Sequence, residues 1–130
     1  MIVWIEGGTL RATYDLANVP DEYRGKVAFF PNLSWPQDAD RLILDGDVIR
    51  EKTDAEMHRE RVEEALARLR AERNRRLAET DWVVLKAHEQ GVPVPAEWAA
   101  YRQALRELPK TITEEQLLSG EIPWPEPPAG

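Results

Sequence analysis

Two histidines, two serines, four clustered aspartates and five clustered arginines are the side chains of this 130-residue sequence that could do chemistry. A hydrolase, a metal site or a phosphate-binding site would need them grouped in defined ways. His58 falls in a charged, helix-forming stretch and His88 in what reads as a loop, and solvation or capping accounts for both. Ser34 and Ser119 are the only serines, and neither sits in a nucleophile motif. HExxH, a glycine-rich phosphate loop and GxSxG are all missing. Asp38, Asp40, Asp45 and Asp47 could crowd a cation, but the EF-hand ligand spacing and its closing glutamate are missing. Turn formation explains those aspartates better. With no cysteine, disulfide and thiol chemistry drop out as well. The expectation is a protein without catalytic residues, without a cofactor and without a metal site.

Charge narrows the partners. The net charge is −7, with nine basic and ten acidic residues in 51–90 and −3 on either side of that stretch. Phosphate contacts need a surplus of Lys and Arg, so nucleic acid is not an expected partner. Arg68, Arg70, Arg73, Arg75 and Arg76 form the local exception. Their plain reading is a solvated helix face paired with Glu64 and Glu72 at i,i+4, each pair worth about 0.2–0.5 kcal/mol. The opening MIVWIEGG has no basic flank and an apolar run of about four residues, against roughly 7–15 for a signal peptide and about 20 for a membrane span. The chain is therefore expected to be soluble, to stay where it is made and to have no membrane partner.

The elements that would position these groups divide near residue 52. Residues 1–52 read as short strands. Ile2–Ile5 and Leu10–Tyr14 flank the turn signal Gly7-Gly8, Lys26–Phe30 is a third strand, and Arg41–Leu44 and Val48–Arg50 flank Asp45-Gly46, a type I′ hairpin signal. Pro20, Pro31 and Pro36 leave no room for a long helix among them. From Asp54 to about Ala78 there is no Gly or Pro, and Thr53 with Glu56 forms a capping-box signature. Val62, Ala65, Leu66 and Leu69 make a narrow apolar stripe on a rod roughly 35–40 Å long. Such a stripe implies a helical partner from within the chain or from a second copy, giving a homo-oligomer through the 54–78 helix.

Beyond it, Gly91, Pro93 and Pro95 mark a loop. A second helix then begins at Pro95 and ends at Pro109, with Trp98, Tyr101, Leu105 and Leu108 on one face. Thr113 and Gln116 predict a short capped helix over 114–119, stopped by Gly120. The segment Ile122–Pro128 reads as extended and polyproline-like. The fold class is α+β: a small antiparallel β domain over 1–52, then over 53–130 a helical hairpin with an extended Pro/Trp tail.

Five tryptophans stand against only two phenylalanines. Trp82 and Trp98 read as packing residues, whereas Trp124, held between prolines, reads either as a clasp onto the helices or as a partner anchor. Trp4, Tyr14, Phe29, Phe30 and Trp35 are more aromatic surface than a sheet this small can bury. With the exposed strand edges, they are candidate partner contacts alongside Trp124.

Three segments in order, Arg73–Trp82, Glu97–Arg106 and Pro123-Trp124-Pro125, resemble the phage tail assembly chaperone family, small proteins linked to tail-fibre assembly. The resemblance covers about residues 68–130. Its pattern falls on Arg73, Asn74, Leu77, Thr80, Asp81 and Trp82, on Trp98, Tyr101, Arg102, Leu105 and Arg106, and on Pro123, Trp124 and Pro125. In physical terms these residues build a helical hairpin. Thr80 and Asp81 bond to free backbone at a helix end, Trp82 turns back toward Trp98 and Tyr101, and Arg102 reaches a carboxylate such as Asp81. A long loop Lys86–Pro95 and an insertion over Thr111–Gly120 depart from the usual pattern. The resemblance implies a non-catalytic chaperone that binds a phage tail or tail-fibre protein in the host bacterial cytoplasm, with residues 1–52 selecting the partner. The alternative is a component retained in the virion at the fibre, as a cap or adhesin.

Overall fold

The computed structural model describes residues 1–129 and is α+β, in two units: residues 1–57 and residues 58–130 without the last residue. In the first unit, strands β1 (Ile2–Glu6), β2 (Thr9–Thr13) and β3 (Ala28–Phe29) form an antiparallel sheet in the order β2-β1-β3. Strands β4 (Leu42–Asp45) and β5 (Val48–Glu51) form a separate hairpin. Short 3-10 turns at Leu16–Asn18, Asp21–Lys26 and Ala39–Arg41 fill the connections.

Turn chemistry sets the registers. Gly7 and Gly8, at φ 59° and 81°, make the two-residue I′ turn that pairs Glu6 with Thr9. In the second hairpin Asp45 pairs with Val48, so the loop is Gly46-Asp47 rather than Asp45-Gly46. Gly46 alone has positive φ there, which is the φ pattern of a II′ turn, not the expected I′. The expected third strand, Lys26–Phe30, shrinks to two residues because the 3-10 turn runs through Lys26.

Alternation along β1 and its partners sends Val3, Ile5, Leu10, Ala12 and Ala28 to one face. They pack with Met1, Leu33, Leu42 and Ile49, and with Phe30 and Trp35 at the margin. The opposite face carries Ile2, Trp4 and Phe29.

The long helix α1 (Asp54–Glu79), whose first turn belongs to the first unit and the rest to the second, begins in the capping box read from sequence. The Glu56 N–H donates to the Thr53 hydroxyl at 3.1 Å, and the Thr53 N–H to the Glu56 carboxylate at 2.9 Å. After one non-helical residue, Thr80, helix α2 (Asp81–Gln90) follows. This corrects the expected loop from Lys86, and it places His88 in a helix rather than in a loop. Asp81-Trp82-Val83-Val84-Leu85-Lys86-Ala87 has no breaker, and the helix runs until Gly91, which caps it in the left-handed region at φ 64°.

Helix α3 (Ala96–Thr111) carries Pro109 within its last turn, so Pro109 does not end it. Leaving out one N–H this near the terminus breaks little of the ladder, and Ile112 N–H still donates to the Leu108 carbonyl at 3.0 Å. Helix α4 (Glu114–Ser119) has a complete Thr113/Gln116 capping box and stops at Gly120, φ 82°.

The α1 stripe is covered by the chain itself. Ala65 and Leu69 are buried with Leu108 of α3 and Leu117 of α4, and Val62, Leu66, Ile112, Ile122 and Trp124 pack around them. The stripe therefore lacks the unfilled seam from which self-association was expected. Of the two expected helix ion pairs, Glu72–Arg76 forms at 3.0 Å. Glu64–Arg68 is not among the ion pairs of the described residues. Arg75 instead bridges Glu72 and Glu79.

Candidate functional site

The residues that resemble the family pattern converge at the joint between α1 and α2. Losing helical geometry at Thr80 (φ −107°, ψ 2°) frees carbonyls at the end of α1, and these need donors. The Thr80 hydroxyl donates back to the Leu77 carbonyl at 2.8 Å. Arg102, from α3, supplies a second donor: its Nη1 reaches the Leu77 carbonyl at 3.0 Å, Asp81 Oδ1 at 3.1 Å, and the Thr80 hydroxyl. The Arg102 side chain is only 12% exposed, against 67% for Asp81. Thr80 is buried. Through Nη1 this guanidinium closes a helix end.

Beside it, Trp98 bridges two other rings edge to face, with Trp82 at 6.1 Å and Tyr101 at 6.2 Å between centroids. Trp82 therefore faces Trp98, and it is Trp98, not Trp82, that faces Tyr101. Tyr101 and Leu105 are buried, as is Val83. Leu77 is half-buried, whereas Asn74 and Arg106 are exposed. Arg73 donates to the Asn74 amide oxygen at 3.0–3.1 Å, and Arg106 reaches Gln103 at 3.4 Å. One surface of α2 stays open: Trp82 is 53% exposed and Leu85 60%, and with Val84, His88 and Arg102 they line a shallow, mostly apolar hollow. The helical reading of 81–90 that reveals this face was available in the unbroken run before Gly91.

Trp124 lies over the Arg76 guanidinium, 4.2 Å from its carbon to the ring centroid, and against the α1 cluster. Pro123 is exposed and Pro125 half-buried. Of the two readings left open for Trp124, the clasp describes its place here.

The aromatic candidates of residues 1–52 are dispersed. Tyr14 and Phe29 are exposed, at 71% and 67%. Phe30 and Trp35 are half-buried against the core. Trp4 is buried, and its Nε1 has no acceptor among the described residues, so it is a core residue rather than a docking surface. A cleft between the β3 and β5 segments, lined by Gly25–Ala28 and Asp47–Ile49, lies in this unit and was missed in the sequence.

Electrostatics here serve structure. Arg50 donates to both Glu56 oxygens, at 2.8 and 3.1 Å, and to Asp45 at 3.0 Å. Those bonds, with the Thr53 N–H, lower the Glu56 pKa from 4.5 to about 2. Arg75 and Arg76 do the same for Glu72, also to about 2. The four aspartates do not converge: Asp38 accepts from the Ser34 N–H at 2.9 Å and Asp45 pairs with Arg50. His58 contacts Glu114. Among the described residues no group of three or more His, Asp or Glu could hold a metal ion, and no helix is long and apolar enough to cross a membrane.

Compared with known protein families, residues 66–129 match the family described as phage tail assembly chaperone protein. The match covers the α1–α2 joint, the aromatic group, α3, α4 and the Trp124 segment, and it agrees with the resemblance read from the residues. No curated protein and no solved structure matches the chain.

Proposed function

We propose that this chain, whose residues 66–129 match the phage tail assembly chaperone family, is a non-catalytic chaperone that binds a tail or tail-fibre protein during assembly in the host bacterial cytoplasm. The observation that carries this reading is how the family-like residues are used. Arg102, Thr80 and Asp81 close a helix joint, Trp82, Trp98 and Tyr101 meet edge to face, and Trp124 covers Arg76. These are the contacts of a scaffold. None presents a nucleophile with an adjacent base, the minimum arrangement for covalent catalysis.

In this reading client choice belongs to the β-rich part, residues 1–52. There Tyr14 and Phe29 stand in solvent, and β2, β3 and both strands of the hairpin have an unpaired edge. The helical part, 53–130, is the scaffold.

The test is co-expression of the tagged full chain with each tail and fibre protein of the phage that carries it, one at a time, followed by quantitation of the chain in mature particles. A chaperone forms a complex with at least one of them and is absent from finished particles. Stoichiometric retention would establish the virion-component alternative, and the absence of any complex would end both readings.

A further inference from the structure

Large apolar side chains left in solvent gather at one place in the second unit. Among its described residues five stand exposed, and four of them, Trp82, Val84, Leu85 and Val92, lie on α2 and the turn that follows it. Trp82, Val84 and Leu85, with His88, floor the shallow hollow beside the α1–α2 joint. A second hollow adjoins it, sharing Val84 and Arg102 and running on to Ala99, Gln103 and Arg106 of α3. Together they make one open furrow over α2 and α3, apolar on the α2 side.

The α3 side is basic. Helical spacing puts Ala99, Arg106 and Lys110 on one face, so Lys110 continues the row of cations one turn beyond Arg106. Both are exposed, and neither has a carboxylate partner among the described residues. Arg106 donates only to the neutral Gln103 amide, at 3.4 Å. The one carboxylate among the lining residues, Asp81, is paired with Arg102 at 3.1 Å. In a chain of net charge −7, this furrow keeps a local surplus of positive charge.

We propose that the furrow takes one amphipathic helix of a partner polypeptide, apolar toward Trp82 and Leu85 and acidic toward Arg106 and Lys110. Backbone, charge and area each select that occupant. The walls are helices whose main chain is bonded internally, so an extended segment laid here would bury N–H and C=O groups without partners. A helix satisfies its own and reads the surface through side chains one turn apart. A second copy would need a self-complementary patch, and the furrow has no free carboxylate to meet its own cations. The exposed parts of Trp82, Val84 and Leu85 come to roughly 300 Å², short of the about 800 Å² that each partner of a stable interface buries. That area fits one helix that binds and leaves. An anionic lipid surface calls for a cluster of about 4–8 cations, more than this furrow holds. That the helix belongs to a tail or tail-fibre protein rests on the chaperone reading; its chemistry does not.

The test uses the full chain and a soluble probe, an eighteen-residue peptide of glutamate, alanine and leucine with its leucines at helical spacing on one face. One twin carries lysine for every glutamate, and another carries a central proline that breaks the helix. NMR titration follows the Trp82 indole N–H and the Val84 and Leu85 methyls. The acidic peptide is expected to shift all three, and both twins to bind at least fivefold more weakly. Leu85→Gln changes an exposed side chain without adding charge; it should weaken the acidic peptide about tenfold and leave the melting temperature unchanged. Arg106→Glu should weaken it about fivefold and strengthen the lysine twin. Equal binding by either twin would overturn the proposal, as would full binding by a folded Leu85→Gln chain. Shifts of the same groups by phosphatidylserine vesicles, with none from the peptide, would show a lipid surface and overturn it. A doubled mass without peptide, halved by Leu85→Gln, would show a second copy and overturn it too. If the peptide binds as described but no tail or fibre protein does, the helix-binding furrow stands and the chaperone reading falls.

Discussion

Arg102 Nη1 sits 3.0 Å from the carbonyl oxygen of Leu77, joining the middle of α3 to the last turn of α1 across 25 positions of sequence. The carbonyl also accepts the Thr80 N–H at 3.0 Å and the Thr80 hydroxyl at 2.8 Å, and Arg102 adds the charged donor from a side chain that is only 12% exposed. Arg102→Ala leaves that acceptor without a charged donor and should cost about 1–3 kcal/mol in urea unfolding. Asp81→Ala removes an exposed partner and should cost less than about 1 kcal/mol. If the two substitutions cost the same, the exposed ion pair rather than the helix end is what Arg102 serves.

Leu69 is 3% exposed, inside the cluster that α1, α3 and α4 build together. Leu69→Ala should lower stability by about 2–5 kcal/mol. Sedimentation should show the same mass before and after, because the stripe is filled from within the chain. A parent chain that sediments as a dimer, and Leu66→Glu that returns it to a monomer, would restore the self-association read from sequence.

Trp124 combines a cation–π contact with Arg76 and apolar contact with the same cluster. Trp124→Ala should cost about 1–2 kcal/mol, and Arg76→Gln, which keeps the ring but loses the cation and its pair with Glu72, about 0.5–1 kcal/mol. Hydrogen exchange should speed up in α4 and around Leu69 in Trp124→Ala. Unchanged exchange there would mean the ring is not holding the cluster shut.

Acid should act on the start of α1 through Glu56. Its pKa is lowered to about 2 in the fold by the Arg50 hydrogen bond first and then by the Thr53 N–H, against 4.5 in the open chain. A carboxyl lowered on folding adds stability above its unfolded value and loses it as pH falls toward the folded one. The loss attributable to Glu56 should therefore run from about pH 4.5 down to about pH 2. Comparing the parent with Glu56→Gln by thermal melts across that window measures it. Identical pH slopes for the two proteins would remove Glu56 from the account.

Much of this fold was legible because local signals agreed with one another. Thr53/Glu56 and Thr113/Gln116 mark helix starts by an exchange of hydrogen bonds over three residues, a relationship visible in any sequence. Trp98, Tyr101, Leu105 and Leu108 keep helical spacing over the whole of α3. What stayed hidden depends on contacts distant in sequence. A one-residue break at Thr80 has no Gly or Pro to announce it and is held by Arg102 from another helix, so the joint between α1 and α2 was not legible although the helix beyond it was. Placing the second hairpin's loop at Gly46-Asp47 rather than one residue earlier shifted the pairing. The cleft lined by Gly25–Ala28 and Asp47–Ile49 depends on that pairing, and no residue type in it is distinctive.

The closure of the α1 stripe by Leu117, Ile122 and Trp124 also orders events in time. A ribosome adds about 5–20 residues per second, so roughly 3–12 s separate the synthesis of Val62 from that of Trp124. From the synthesis of Leu69 until that of Leu117, the stripe Val62, Leu66 and Leu69 has neither Leu117 nor Trp124 to lie against. The nascent chain passes through a stage at which the α1 stripe lacks the residues that close it, and any polypeptide being translated alongside it meets that stage before it meets the finished fold.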